Sequence, residues 1–293
     1  MRMQQVQFWL CAAAIAVASS LAQAQSAAPA PPPVPPEKHW RLGVAVGYGG
    51  RTNPLINSDD IPVLVDLDFA WFGKRWFFDN GDLGFELFDH ARVTTNLVAR
   101  VNSDRTFFSK TNTRYVNFAL TAGGLSVPIT DPASGLPLTA PQPEPLRVPR
   151  RDYAVELGLE MLTDGAWGQA AVRAFHDVSD THNGFEIAAD YSYRWIRGRL
   201  SIAPSVGVAY KSAALNDYYW GIQPGEGGLT LLQYHPHGGL GWEAGLRTSY
   251  YLTRSMRLAV SANYERLESS VALSPIVERP YVLGYFAGAA WQF

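Results

Sequence analysis

Carboxylates and a histidine crowd together at one place in the chain, Asp177-Val-Ser179-Asp180-Thr-His182-Asn-Gly184. Serine beside histidine and aspartate is the composition of a nucleophilic hydrolase, in which the imidazole takes the hydroxyl proton and a carboxylate orients the ring. The same residue types build tight hairpins through local hydrogen bonds. No G-x-S-x-G or H-E-x-x-H motif accompanies them, and His182 has no partner at metal-ligand spacing. The expectation is a chain that is not an enzyme, with no cofactor and no metal site. A hydrolase built on Ser179, Asp180 and His182 is the alternative, and it stands only if those three side chains converge.

A second set of chemistry-bearing residues is spread along the chain at alternating positions: Asp66, Asp68, Glu156, Glu160, Arg173, Asp190, Arg194, Glu243, Arg247 and Glu265. Acids and arginines brought to one interior either pair and close it, since unpaired charge in a narrow lumen is costly, or line a water-filled path. Both readings require that each residue lie on the inner face of a strand.

The elements that would position them have period two. Tyr281 to Phe293 sets Tyr281, Leu283, Tyr285, Ala287, Ala289, Trp291 and Phe293 against Val282, Gly284, Phe286, Gly288, Ala290 and Gln292. A terminal strand of this kind, ending on an aromatic that serves as an assembly signal at Phe293, is what closes an outer-membrane barrel. Ile61 to Phe72 opposes Ile61, Val63, Val65, Leu67, Phe69 and Trp71 to Asp66 and Asp68, and Tyr153 to Leu162, Phe185 to Trp195 and Leu200 to Lys211 repeat the scheme. Trp40 to Gly49 opens the series. Weaker strands are read at Lys74 to Asp79, Asp82 to Phe88, Arg92 to Arg100, Ala166 to Asp177, Gly239 to Leu252 and Met256 to Arg266. The fold class is therefore all-β: a transmembrane antiparallel up-and-down β-barrel of about 12 strands, with 10 to 14 allowed. A secreted β-sandwich would also alternate, but its apolar face would seldom carry so many aromatics at strand ends.

Connection lengths supply an independent check. One set is short: Gly73, Asp89 to Ala91, Thr163 to Gly165, Ile196 to Gly198 and Thr253 to Ser255. The other comprises 50–60, 80–81, 101–152, 178–184, 212–238 and 267–280, mostly long, as external loops are. Trp40, Trp71, Trp76, Trp167, Trp195 and Trp291 all fall at the short-turn ends, where an interfacial, periplasmic aromatic girdle would lie.

Residues 1–24 read as a signal peptide: Arg2, an apolar run from Phe8 to Leu21, and Ala22-Gln23-Ala24 as the cleavage pattern. Residues 25–39 hold a proline tract expected to be an extended periplasmic linker. The barrel then occupies 40–293. Cys11 is the sole cysteine and lies inside the signal, so disulfides and cysteine metal sites are excluded from the exported chain. With 24 basic against 26 acidic residues there is no basic excess for nucleic acid. The mean hydropathy of −0.08 suits either a soluble protein or a barrel, because lipid-facing positions are averaged with lumen-facing ones.

Three ordered segments carry a family resemblance. Ser205 to Ser212 is followed by Asn216-Asp-Tyr218-Tyr219-Trp220-Gly221-Ile-Gln-Pro224-Gly-Glu226, Asp177 to Gly184 forms a hairpin motif, and Leu273-Ser-Pro-Ile-Val277 precedes the closing strand. Together with the glycine-rich opening from Gly47 through Pro54, Ser58-Asp59 and Ile61-Pro62, these resemble the MipA/OmpV family of outer-membrane proteins. Where the family's hairpin has a glycine, this chain has Asp180, and its 101–152 loop looks longer. The resemblance implies a barrel in the outer membrane of a Gram-negative bacterium. It would be delivered by the barrel assembly machinery, sit in outer-membrane lipid, and act as a scaffold for a murein lytic transglycosylase and a murein synthase. It brings no catalytic residues. A narrow cation-preferring diffusion channel, motivated by the acids on the inner face, is the alternative from a transport class. Long loops at 101–152 and 212–238 are expected outside, where a protease on intact cells would cut within 132–150.

Overall fold

The computed structural model describes residues 40–90, 92–108, 149–224, 226 and 233–293. The signal peptide, the proline linker and most of the 101–152 loop lie outside the described residues.

Period-two alternation becomes twelve antiparallel strands closed into a ring. They are β1 (Trp40–Arg51), β2 (Ile61–Phe72), β3 (Trp76–Asp79), β4 (Asp82–His90), β5 (Val93–Val101), β6 (Val155–Gly165) and β7 (Gly168–Asp177). Then follow β8 (Phe185–Ser192, resumed at Trp195–Arg197), β9 (Leu200–Lys211), β10 (Gly239–Tyr251), β11 (Met256–Arg266) and β12 (Tyr281–Gln292). Both parts of β8 pair with β9, so they are one strand interrupted at Tyr193-Arg194. The ring closes where β12 pairs with β1, from Gly43 opposite Gln292 to Arg51 opposite Gly284. No helix among the described residues is long and apolar enough to cross a membrane.

The alternation has a physical reading in β6, where Val155, Leu157, Leu159 and Met161 are exposed while Glu156 is buried and Gly158 and Glu160 are half-buried. The apolar set faces outward and the carboxylates face the interior. β2 departs from the expected pattern. A register shift between Val46 and Gly49 of β1 carries Ile61 and Val63 to the inner face. Ile61 is buried, Val63 lines an interior cavity beside Asp66, and Pro62 and Leu64 are exposed instead. One extra residue in β1 is enough, because a slip of one position exchanges the two faces of everything beyond it.

β3 and β4 are joined by Asn80-Gly81, both with positive φ (50° and 107°), the two-residue turn that asparagine and glycine favour. That hairpin stops partway up the wall. Asn80 is hydrogen-bonded to Phe69 in both directions, yet β2 runs on to Ile61. The 80–81 connection, expected among the external loops, therefore turns below the rim.

The described parts of the long connections emerge at one end, and there several of them fold together. A 3-10 turn (Asp104–Phe108), α1 (Ala213–Trp220) and α2 (Ser269–Ala272) contribute to one apolar cluster of Leu55, Phe107, Leu215, Tyr219, Trp220, Ile222, Leu267, Val271, Ile276 and Val282. Ser212 starts α1 as an N-cap, accepting from Leu215 N at 3.4 Å. Each fully buried large side chain here is worth about 1.5–3 kcal/mol. The molecule thus has a wall of strands, a charged interior, and a separate apolar core forming a lid across the loop end.

Candidate functional site

The interior charges are paired in tiers. Toward the middle of the wall, Arg173 on β7 donates to Glu160 on β6 (Nε to Oε2, 2.7 Å) and to Asp190 on β8, while Asn96 on β5 donates to the other Glu160 oxygen at 3.2 Å. The register explains it, since Glu160 lies directly opposite Arg173. One tier nearer the lid, Arg100 bridges Glu156 (2.8 Å) and Glu186 (2.8 Å), with its guanidinium 3.8 Å from the Phe175 ring centroid. Asn102 donates to the second Glu156 oxygen at 2.6 Å, and Glu156 is fully buried. At the lid, Lys211 reaches Asp104 at 2.8 Å, a contact from β9 to the turn that follows β5. Arg51 and Glu265 stand 3.7 Å apart. Toward the short-turn end, Arg41 contacts Asp68 (3.1 Å) and Asp79 (3.3 Å).

Among the expected interior residues, Glu160, Arg173 and Asp190 are thus brought together by pairing, and Glu156, Asp68 and Glu265 find partners that sequence reasoning did not name. Asp66, Glu243 and Arg247 line a cavity of 540 Å³, and Glu243, Arg247 and Arg194 line a second of 730 Å³. The two share Arg173, Asp190, Glu243, Arg247, Ser261 and Asn263 as lining. Arg100, Glu186, Asp104 and Lys211 were missed. Glu186 was legible as an inner-face residue of its strand. Arg100 sits at the end of a weakly patterned strand, and Asp104 belongs to no strand at all.

Ser179, Asp180 and His182 do not converge. Asp177, not Asp180, organises the hairpin: its carboxylate accepts from the backbone N–H of Ser179 (2.8 Å), Thr181 (2.7 Å), His182 (2.6 Å) and Asn183 (3.0 Å) and from Ser179 Oγ (2.7 Å). Asp180 points the other way, accepting from Asn183 Nδ2. His182 Nδ1 accepts from Gly184 N at 2.9 Å, which leaves Nε2 as the protonated nitrogen, directed at Glu156 Oε1 3.4 Å away. That contact is within ion-pair range but poorly angled for a hydrogen bond, so Nε2 is otherwise unpartnered. The imidazole is turned into the barrel, away from the serine. The hairpin is a structural knot that ties the third long connection to the inner wall, and the nucleophile reading fails on geometry. No cluster of three or more potential ligands among the described residues could hold a metal ion.

The 212–226 motif proves to be lid core. Tyr219 and Trp220 are buried and Gly221 carries the helix cap, its N–H donating to Asp217 O. Burial raises the Tyr219 phenol well above its ordinary range. Arg151 holds Glu226 through both carboxylate oxygens (2.8 and 3.0 Å) and also donates to Gly221 O, and this hydrogen bonding keeps the Glu226 carboxyl below the usual carboxylate range. Pro224 is exposed, and the Tyr218 hydroxyl oxygen accepts from the backbone N–H of Asp152 at 2.9 Å.

At the opposite end Trp40, Trp71, Trp76, Trp167 and Trp195 are exposed, and Trp291 is half-buried. Trp40 lies opposite Trp71, and Trp76 meets Phe85 edge to face at 4.9 Å. Phe293 is exposed beyond β12, its N–H bonded to Leu42 O.

A closed twelve-stranded ring with outward apolar residues, an inward charged ladder and long connections gathered at one end defines a transmembrane β-barrel of the outer-membrane type. The chain belongs to the family described as MltA-interacting protein MipA, whose model matches residues 42–293. Relatives include outer membrane protein Omp26La of Vibrio anguillarum, 28% identical over 131 residues that make up 44% of this chain and 50% of that protein. Putative outer membrane protein YiaT of Escherichia coli K12 is 28% identical over 145 residues (49% and 59%). The MltA-interacting protein of the same strain is 28% identical over 118 residues (40% and 48%). The chain therefore spans about half the length of these curated relatives. Among solved structures, the NanC porin is 10% identical with a TM-score of 0.42, covering 85% of this chain and 98% of that one.

Proposed function

We propose that this protein is a non-enzymatic outer-membrane barrel that serves as a docking partner for murein-remodelling enzymes. The observation that carries the reading is an interior crossed by tiers of paired charges beneath a lid with its own apolar core, which suits a rigid platform better than an open conduit. The family description, with its reference to MltA, supports a murein lytic transglycosylase as one partner, and a murein synthase is the other. In this reading the six tryptophans face the periplasmic side, the lid faces outward, and the chain is exported after cleavage near Ala24. Affinity capture from detergent-solubilised envelopes should recover a murein hydrolase or synthase. Recovery of neither, under conditions where another envelope complex survives, would sink the proposal. Protease added to intact cells should cut within 132–150, and cleavage only after the outer membrane is breached would invert the orientation.

A second reading is favoured by one observation, the two charged cavities with shared lining. A narrow cation-preferring path would conduct in planar bilayers, and Glu156→Gln or Asp190→Asn would reduce the current. A silent bilayer across many insertions removes it.

A further inference from the structure

On the wall formed by β8, β9 and β10, acids lie above arginines. Asp190 of β8 and Glu243 of β10 both stand opposite Gly207 of β9. Glu265 of β11 lies opposite Glu243 and adds a third carboxylate at that level. Four residues down β9, toward the short-turn end, Arg247 stands opposite Ala203. Arg194 falls beside the same alanine, because Ser192 and Trp195 on either side of it pair with Ser205 and Ile202. The row between the two levels is Ser192, Ser205, Gly245 and Asn263, small or uncharged throughout. Asp190, Glu243, Arg194, Arg247 and that row line one cavity of 730 Å³, within the range of about 300–1,000 Å³ that small-molecule sites occupy. The cavity extends to Asp164 and Gln169 beside a short turn, which gives a solute its way in.

The acid level has the shape of a cradle. A Cβ on Gly207 would lie 2.8 Å from Asp190 Oδ1 and 3.0 Å from Glu243 Oε1, so two carboxylate oxygens converge on the space that the glycine leaves. Arg173 takes the other Asp190 oxygen, and Asn263 approaches the other Glu243 oxygen at 3.5 Å, which holds one oxygen of each acid turned to that space. Facing carboxylates repel unless a cation or a proton comes between them. Arg173 is shared with Glu160 and does not neutralise the level by itself. A primary ammonium, with three donors and a unit charge, has the chemistry the cradle asks for. The lower level offers the complement: two exposed guanidiniums that both line the cavity, the group that best grips a carboxylate.

The spacing of the two levels sets the length of the occupant. Four strand residues separate them by about 13 Å. With a hydrogen bond of about 3 Å at each end, the charges of a bound molecule stand between about 7 Å apart, for contacts along the barrel axis, and about 13 Å, for contacts across it. A free amino acid is too short. Two or three extended residues span about 7–11 Å. Their amides would meet Ser205 Oγ and Asn263 Oδ1, which lean over Gly245, 2.6 and 3.1 Å from a Cβ built there. We propose that this cavity is a binding site for a short linear peptide with free ends, its ammonium held over Gly207 by Asp190 and Glu243 and its carboxylate held by Arg194 and Arg247. The site rests on the barrel interior alone and requires neither a docked enzyme nor conduction.

Calorimetric titration of the full-length protein in detergent micelles tests it, with tri-L-alanine as the probe. The expected result is saturable binding that weakens about tenfold or more when either end charge is removed, as in N-acetyl-trialanine or trialanine amide. Single alanine should bind far more weakly than the tripeptide. Glu243→Gln should cost trialanine about tenfold and N-acetyl-trialanine little, and Arg247→Gln should stand in the same relation to the amide. That crossover assigns each end of the peptide to its level, and a merely structural role would not produce it. The end-blocked peptides are measured on the unsubstituted protein, so the question stays decidable where a variant fails to fold. D-alanyl-D-alanine against L-alanyl-L-alanine separates the sources. Preference for the first points to murein fragments and for the second to protein-derived peptides, and either supports the site. No binding of trialanine at millimolar concentration, binding indifferent to both end charges, or alanine binding as tightly would each overturn the proposal.

Discussion

The two ends of this barrel are stabilised by different physics. At the lid end, four connections separated by most of the sequence meet in a buried apolar cluster, and the charges beneath it are desolvated and paired. At the short-turn end the aromatics are exposed, and Lys74, Arg92, Arg197, Arg199 and Arg254 project without burial. The lid end is therefore held by its own contacts, whereas the turn end relies on its surroundings, on headgroups and interface, to complete it. Substitutions should be costly at the first end and cheap at the second.

The largest effect is expected at Glu156. Glu156→Ala leaves the Arg100 guanidinium with Glu186 alone and strands the Asn102 amide in a buried site, which costs about 3 kcal/mol. Urea unfolding in detergent micelles measures it, and a loss below about 1 kcal/mol would mean that water reaches the tier freely. Next comes Asp177→Ala, which releases four backbone donors and one hydroxyl in the third long connection. Charged-acceptor bonds are worth about 1.5–3 kcal/mol each, although most of these donors can turn to water, so a loss of about 2 kcal/mol is expected together with new proteolysis between Asp177 and Gly184.

Acid should loosen the lid before the wall. Glu226 is held below its ordinary range by Arg151, so its contribution is complete above the unfolded carboxylate value, about 4.3, and fades as pH falls through the lower folded value. Limited proteolysis near Arg151 and Glu226 at pH 7 and pH 3 reads this out, and Glu226→Gln should abolish the pH difference at that site. Glu268 works in the other direction, because burial raises its carboxyl and acidification relieves that penalty. Equal susceptibility at both pH values would show the two cancelling.

A smaller change of opposite sign is expected at Asp180, whose φ of 59° is left-handed. Asp180→Gly removes a strain of about 1 kcal/mol while giving up the exposed bond from Asn183. The unfolding midpoint should rise slightly, and a clear fall would show that the bond outweighs the backbone. Smallest of all, Arg254→Gln at the turn end should stay within about 0.5 kcal/mol. A larger loss in lipid but not in detergent would identify it as a headgroup contact.

The wall was legible because each strand repeats one rule every two residues, and Glu156, Glu160, Arg173 and Asp190 fall on the inner face by that rule alone. The one-residue slip at Val46/Gly49 left no mark in the sequence of β2, so Ile61 and Val63 read as outward when they face in. The lid was illegible for another reason. Leu55, Leu215, Trp220 and Ile276 sit in segments with no period, and what unites them is proximity across the mouth of the ring. Tyr219 and Trp220 read only as part of an external loop for the same reason, since an aromatic in a long loop carries no sign of whether other loops cover it. The hydrolase reading of Ser179, Asp180 and His182 failed because adjacency in a turn says nothing about direction, and here the imidazole points inward.

The strand that opens the barrel is zipped to the strand that ends it, Gly43 against Gln292. Nearly the whole described chain must be threaded before that seam can form, and contacts between such remote segments are slow to find each other. Until it forms, β1 and β12 are both adhesive margins, free to join strands of other molecules. The seam makes biogenesis a race: the ring is won or lost on how quickly the last strand is delivered to the first.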